Sequence, residues 1–143
     1  MGLFGKKGGV PSDGYAVIRD EAEWRRRLSA EAFDVMFRHG TERPFTSPLL
    51  HEKRMGKFLC AGCDAALFDA KTKFESGTGW PSYWEPIKGA IASETDNSLF
   101  VTRTEVHCAR CGAHQGHVFE DGPAPTGLRY CINGVAMKFE PES

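Results

Sequence analysis

The residues with the most chemistry in this chain are its five cysteines, and four of them are paired. Cys60-Ala-Gly-Cys63 and Cys108-Ala-Arg-Cys111 are two CxxC knuckles, each with small or glycine residues that let the backbone turn and aim two thiolates at one point. Together they offer four sulfurs, a complete tetrahedral set for one zinc ion. A shell of four thiolates leaves no open position for water or substrate, so a zinc held there is structural. A redox dithiol at one of the pairs is the alternative, but two such pairs in a chain with a fifth cysteine favour metal. Residues 64–107 separate the knuckles, a longer span than the ~15–20 residues of a compact zinc ribbon. The ion is therefore expected to join distant parts of a larger domain.

The fifth cysteine, Cys131, lies in Gly127-Leu128-Arg129-Tyr130-Cys131-Ile132-Asn133. A buried core thiol is the plain alternative, since free cysteine is among the most buried residue types. Strand alternation argues otherwise: Tyr130 and Ile132 share one face, and Arg129, Cys131 and Asn133 share the other. A cation, a thiol and an amide make poor core, and a nearby arginine favours the thiolate, the form that attacks. His114 and His117 follow the second knuckle as an HxxH pair. Four sulfurs already close a metal shell, so these imidazoles read as a general acid and its orienting partner, with zinc ligation the lesser alternative. The segment Phe74-Glu75-Ser76-Gly77-Thr78-Gly79-Trp80-Pro81-Ser82-Tyr83-Trp84 places glycines before an indole and a proline after it, a loop able to hold Trp80 rigidly at a surface; Trp84 is expected in the core.

These groups must be positioned by secondary structure. Asp20 caps a short helix with Glu23 three residues on and Trp24 and Leu28 on one face. Ser29 caps a second, whose Phe33, Met36 and Phe37 form an apolar stripe and whose stop is Gly40. Beyond Gly40, short apolar runs alternate with turn residues, which predicts an all-β body. The expected strands are Lys57–Cys60, Ala90–Ser93, Leu99–His107, Gly116–Phe119, Leu128–Ile132 and Val135–Phe139, with Asn133-Gly134 a hairpin turn between the last two. The fold class is mainly β: an antiparallel sheet body with two short N-terminal helices packed on it, long ordered loops, and the four-cysteine zinc site joining the knuckles.

With 143 residues, 41% of them hydrophobic, the chain fits one compact domain over residues 15–143 behind a Gly- and Lys-rich flexible arm, residues 1–14. Eighteen basic residues against nineteen acidic give a charge of −1, without the positive footprint of a nucleic-acid binder. The first residues hold no apolar run suited to a signal peptide, and Lys6 stands where a myristoylation pattern after Gly2 wants Ser or Thr. No run approaches the ~18 apolar residues of a membrane span. The expectation is a soluble, cytoplasmic monomer without nucleic-acid or membrane partners, in a compartment where thiols stay reduced.

Gly40-Thr41-Glu42-Arg43-Pro44-Phe45-Thr46, the first knuckle, Ser76-Gly77-Thr78-Gly79-Trp80-Pro81-Ser82, the second knuckle through His114-Gln115-Gly116-His117-Val118-Phe119, and Arg129-Tyr130-Cys131-Ile132-Asn133 occur in an order that resembles the methionine-R-sulfoxide reductases. The resemblance spans roughly residues 30–139. It implies that Cys131 is the nucleophile and His117 the acid, that His114, Asp121, Arg129 and Asn133 shape the site, and that Trp80 is the wall against which the substrate's methyl group lies. It further implies a structural zinc, oxidised methionine in proteins or peptides as substrate, a cysteine sulfenic acid intermediate, and thioredoxin or another external thiol as reductant. Many relatives carry a resolving cysteine at the place of Thr78; this chain has none. The rival class, a non-enzymatic zinc-knuckle binding module, explains the knuckles but not the Arg129, Cys131 and Asn133 face.

Overall fold

The computed structural model describes residues 9–98 and 100–142; the arm at residues 1–8, Gly2 and Leu99 among the sequence expectations lie outside these. Both helices form where their caps stand. In α1 (Glu21–Arg27) the Asp20 carboxylate accepts from Glu23 N–H, and in α2 (Ala30–Phe37) Ser29 Oγ accepts from Ala32 N–H, each satisfying an N–H that the helix cannot. Trp24 packs on Phe37 with ring centroids 4.8 Å apart. At the end of α2 the left-handed residue is His39 (φ 60), and Gly40 N–H returns to the carbonyl of Asp34.

The body is antiparallel throughout. A three-stranded sheet has the order β2 (Ala66–Asp69), β1 (Gly56–Cys60), β9 (Met137–Pro141). A six-stranded sheet has the order β3 (Lys73–Phe74), β4 (Ser82–Tyr83), β8 (Arg129–Ile132), β7 (His114–Phe119), β6 (Arg103–Cys108), β5 (Ile91–Asp96). Aromatic rings join the sheets: Tyr83 stacks on Phe68 at 4.3 Å and meets Phe58 edge-on at 5.2 Å. Phe58, Phe68, Tyr83, Val106 and Ile132 are fully buried, and α2 closes the core against β7.

Three sequence expectations are corrected. Asn133-Gly134 is not a hairpin turn. Asn133 has φ −73, where a two-residue hairpin of that type needs positive φ, and Gly134–Ala136 forms a 3-10 turn that carries the chain from one sheet to the other. The strand expected from Leu99 begins at Arg103. Asp96 Oδ1 accepts from Ser98 N–H, Thr102 Oγ1 donates to Asn97 Oδ1, and Phe100 is left-handed, so the described residues 97, 98 and 100–102 are loop. Trp84 is only half-buried; in the short β4 it is the neighbouring Tyr83 that points into the core.

Candidate active site

The two knuckles are near copies in backbone. Cys60 N–H donates to Ala65 O (2.8 Å) and Asp64 N–H to Cys60 O (2.9 Å); Cys108 N–H donates to Ala113 O (2.9 Å) and Gly112 N–H to Cys108 O (2.8 Å). The fourth residue after each first cysteine, Asp64 or Gly112, is left-handed, which tightens the turn. All four cysteines are buried, with Cys60 Sγ 3.7 Å from Cys111 Sγ, Cys63 Sγ 3.6 Å from Cys108 Sγ, and every pair within 4.8 Å. A tetrahedron with metal–sulfur bonds of about 2.3 Å has edges of about 3.8 Å, so the four sulfurs fit one tetrahedral ion. α1 covers this cluster: Trp24 rests so close over Gly62 that a Cβ there would press on the indole at 2.8 Å.

The second knuckle is also the hairpin that folds β7 back along β6, and β7 in turn pairs with β8. The register sets His117 directly opposite Cys131 and Phe119 opposite Arg129. Cross-strand partners have Cβ atoms about 4.5–5.5 Å apart, so nucleophile and acid candidates are neighbours by construction. A side chain at Gly116 would run into the Cys131 carbonyl; only glycine lets β7 and β8 approach this closely. The Arg129, Cys131 and Asn133 face opens into a cavity of about 250 Å³, shared with His114, His117 and Trp80. That volume suits a side chain and is below the usual size of a drug-like ligand site.

A buried carboxylate assembles the rim. Glu42 accepts Gly134 N–H at 2.8 Å and Val135 N–H at 2.9 Å, while its backbone donates to Asn133 Oδ1 (3.0 Å) and accepts Trp80 Nε1–H (2.9 Å). Phe45 N–H donates to Gly79 O (2.7 Å), and Gly79, left-handed, lies under Pro44 and Phe45, where a Cβ would clash. Asn133 is buried, with Nδ2 on the Gln115 carbonyl (3.1 Å). Gln115, fully buried, also directs its amide at Cys60 Sγ (3.7 Å), joining the cysteine cluster to the cavity. Asp121 is outside the cavity and exposed. It grips Arg129 with two hydrogen bonds (2.9 and 3.1 Å), and that guanidinium also lies 4.5 Å from the Phe119 ring.

Sequence reasoning missed the partners of the histidines. His117 Nε2 is 2.8 Å from Asp96 Oδ2, and His114 Nδ1 is 2.6 Å from Glu105 Oε2. The available signal was the knuckle as hairpin, which brings Glu105 opposite His117. Burial resists ionisation of Asp96, but hydrogen bonds from His117 and Ser98 outweigh it and hold the carboxylate well below its ordinary range. Burial likewise resists ionisation of Glu105, and His107 and His114 together bring its carboxyl down to about 2. His117 is lowered, chiefly by burial; Asp96 pulls it up, and Arg103 pulls it down. Burial also raises the Cys131 thiol. Arg129 favours the thiolate, as expected, but does not cancel the burial. Burial thus pushes both the thiol and the imidazole toward their neutral forms.

The model of the SelR domain matches residues 28–141 of the chain. The peptide methionine sulfoxide reductase MsrB of Agrobacterium fabrum is 52% identical over 126 residues, 87% of this chain and 93% of its own length. That of Methanosarcina barkeri is 51% identical over 89% of this chain and 90% of its own, and that of Pseudomonas putida 55% identical over 83% and 90%. The crystal structure of the Mis18 'Yippee-like' domain is similar in fold alone, with a TM-score of 0.52 at 15% identity over 63% of this chain and 99% of that one. A family model spanning most of the chain, and relatives half identical along it, carry the conclusion: this chain belongs to the SelR domain family.

Proposed function

We propose that the protein reduces the R epimer of methionine sulfoxide in peptides and proteins to methionine, with Cys131 as nucleophile. The observation that carries this reading is the cross-strand placement of Cys131 and His117 on one cavity wall. A sulfoxide becomes electrophilic when its oxygen is hydrogen-bonded or protonated, so the reaction needs a thiolate and an acid together. With Asp96 ionised, His117 donates Nε2–H to it and keeps the Nδ1 lone pair. That imidazole takes the Cys131 proton and hands it to the sulfoxide oxygen. Oxygen passes from the substrate sulfur to Cys131 sulfur; methionine leaves, reduced by two electrons, and Cys131 becomes a sulfenic acid. Glu105 holds His114, and Asp121 holds Arg129, so the polar groups around the sulfur are positioned before substrate binds.

Selection of one epimer follows from Trp80. The one polar atom of its indole is bound to the Glu42 carbonyl, so the face toward substrate is carbon. Placing the sulfoxide oxygen there would leave it unpaired, at a cost of about 1–3 kcal/mol, roughly ten- to over a hundredfold. The test is an assay with separated R and S sulfoxide peptides. Only the R peptide is expected to turn over, and Trp80→Ala should erode that preference; turnover of S alone, or of neither, would refute the reading. His117→Ala should slow single-turnover reduction by about 10²–10⁴-fold, and a wild-type rate would move the acid elsewhere.

Zinc fits the four buried sulfurs, and when bound it supplies a structural cross-link with no role in the chemistry. Cys60, Cys63, Cys108 and Cys111 would hold it, and their sulfurs are then not free to resolve a sulfenic acid at Cys131. An external thiol, small or of thioredoxin type, regenerates the enzyme, consistent with a monomer in the reducing cytoplasm. No helix among the described residues is long and apolar enough to cross a membrane.

A further inference from the structure

Thr78, which contributes no thiol, lines the same cavity as Cys131 and ends a chain of hydroxyls. Ser82, fully buried on β4 and in register with Cys131, has one hydrogen and two acceptors, Ser76 Oγ at 2.8 Å and the Trp80 carbonyl at 3.1 Å, and the shorter bond is the one to Ser76. Ser76 Oγ and Thr78 Oγ1 are 2.8 Å apart. A hydroxyl has one hydrogen to donate and two lone pairs to accept with, and counting them gives the chain a direction. Ser76 Oγ accepts from Ser82 Oγ–H and from Thr78 N–H (3.3 Å). Both of its lone pairs are then engaged, so its own hydrogen goes to Thr78 Oγ1. Thr78 Oγ1 accepts that hydrogen and Trp80 N–H (3.4 Å), which leaves only its own hydrogen to place.

We infer that this hydrogen is donated to Cys131 Sγ, making Thr78 a catalytic residue that stabilises the thiolate and Ser76 and Ser82 the residues that position it. Each hydroxyl in such a file polarises the next, which strengthens the last bond toward a charged acceptor. The role answers a need of the site: burial raises the Cys131 thiol, and Thr78, beside Arg129, is one of the groups drawing it back toward ionisation. Arg129 is already gripped by Asp121, whereas the Thr78 hydrogen has no competing acceptor among these bonds.

The inference rests on Cys131 being the reactive thiol of the proposed reductase, and its test needs no sulfoxide. The rate of Cys131 alkylation by iodoacetamide, followed on the Cys131 peptide by mass spectrometry across pH, reads the thiolate directly. Thr78→Val removes the hydroxyl and keeps the shape. Its alkylation midpoint should rise by about one to two pH units, a loss of roughly 10- to 100-fold in rate below the midpoint, as expected for a hydrogen bond to a charged acceptor. Thr78→Ser should restore most of it. A wild-type midpoint in folded Thr78→Val overturns the inference. If near-ultraviolet circular dichroism finds Thr78→Val unfolded, Ser76→Ala decides by the same reading: a smaller rise supports the chain, and none overturns it. An unmoved midpoint in an enzyme that still reduces sulfoxides refutes the Thr78 role alone; a moved midpoint in a protein that reduces none refutes the reductase reading alone.

Discussion

Cys131→Ser is expected to abolish sulfoxide reduction while leaving metal content and melting temperature close to those of the wild type. The hydroxyl of serine is a far weaker nucleophile than a thiolate, it holds its proton far more tightly than the thiol that His117 would deprotonate, and its oxygen could take up the sulfoxide oxygen only by forming an O–O bond. The substitution changes one atom in a half-buried side chain that lies outside the four-sulfur cluster, and such changes cost little stability. Peptide turnover, metal analysis and a thermal melt on one preparation are sufficient. Retained turnover would remove Cys131 from the mechanism, and loss of metal would mean that the two thiol sites are not independent. In the wild type, one equivalent of substrate without reductant should leave Cys131 trappable by dimedone with the knuckle thiols still metal-bound.

Cys60→Ser or Cys111→Ser should lose metal and fold together. Structural zinc in small domains binds with about 10–16 kcal/mol that is realised as folding energy, and a whole domain is stable by only about 5–15 kcal/mol. Removing one of four ligands therefore takes away as much as the entire margin. The loss should also reach the cavity, because Gln115 touches Cys60 Sγ with its side chain and holds Asn133 with its carbonyl. Metal analysis with a denaturant titration checks this: a metal-free variant with wild-type stability would show the cross-link to be dispensable.

Much of this site was legible in the sequence because its signals are local. CxxC spacing reports a turn that aims two thiolates, and period-two alternation at 129–133 reports a single face, which the cavity lining bears out. The caps at Asp20 and Ser29 are likewise one-turn signals. What sequence could not supply were partners brought in from afar. Asp96 reaches His117 across β6, through the pairing of β5 with β6 and of β6 with β7, which no short motif encodes. Asn133-Gly134 misled for the same reason: the Glu42 carboxylate, remote in sequence, accepts the N–H groups of the following turn and overrides the local hairpin preference. β2, β3 and β4 were missed because two to four residues are too few for a period to show.

The 3-10 turn at Gly134–Ala136 has a consequence for the order of assembly. By sending β9 away from β8 to the far sheet, it pairs Met137 with Cys60 and Pro141 with Gly56, so the edge of β1 not covered by its near neighbour β2 is closed only by the last strand of the fold. Contacts so distant along the chain are slow to form, because loop entropy is lost before pairing repays it. An ion held by both knuckles would tie β1 to the β6–β7 hairpin beforehand and shorten the remaining search. Folding with metal should accordingly be the fast route, and a chain starved of it should linger with an open strand edge at β1, exposed to aggregation.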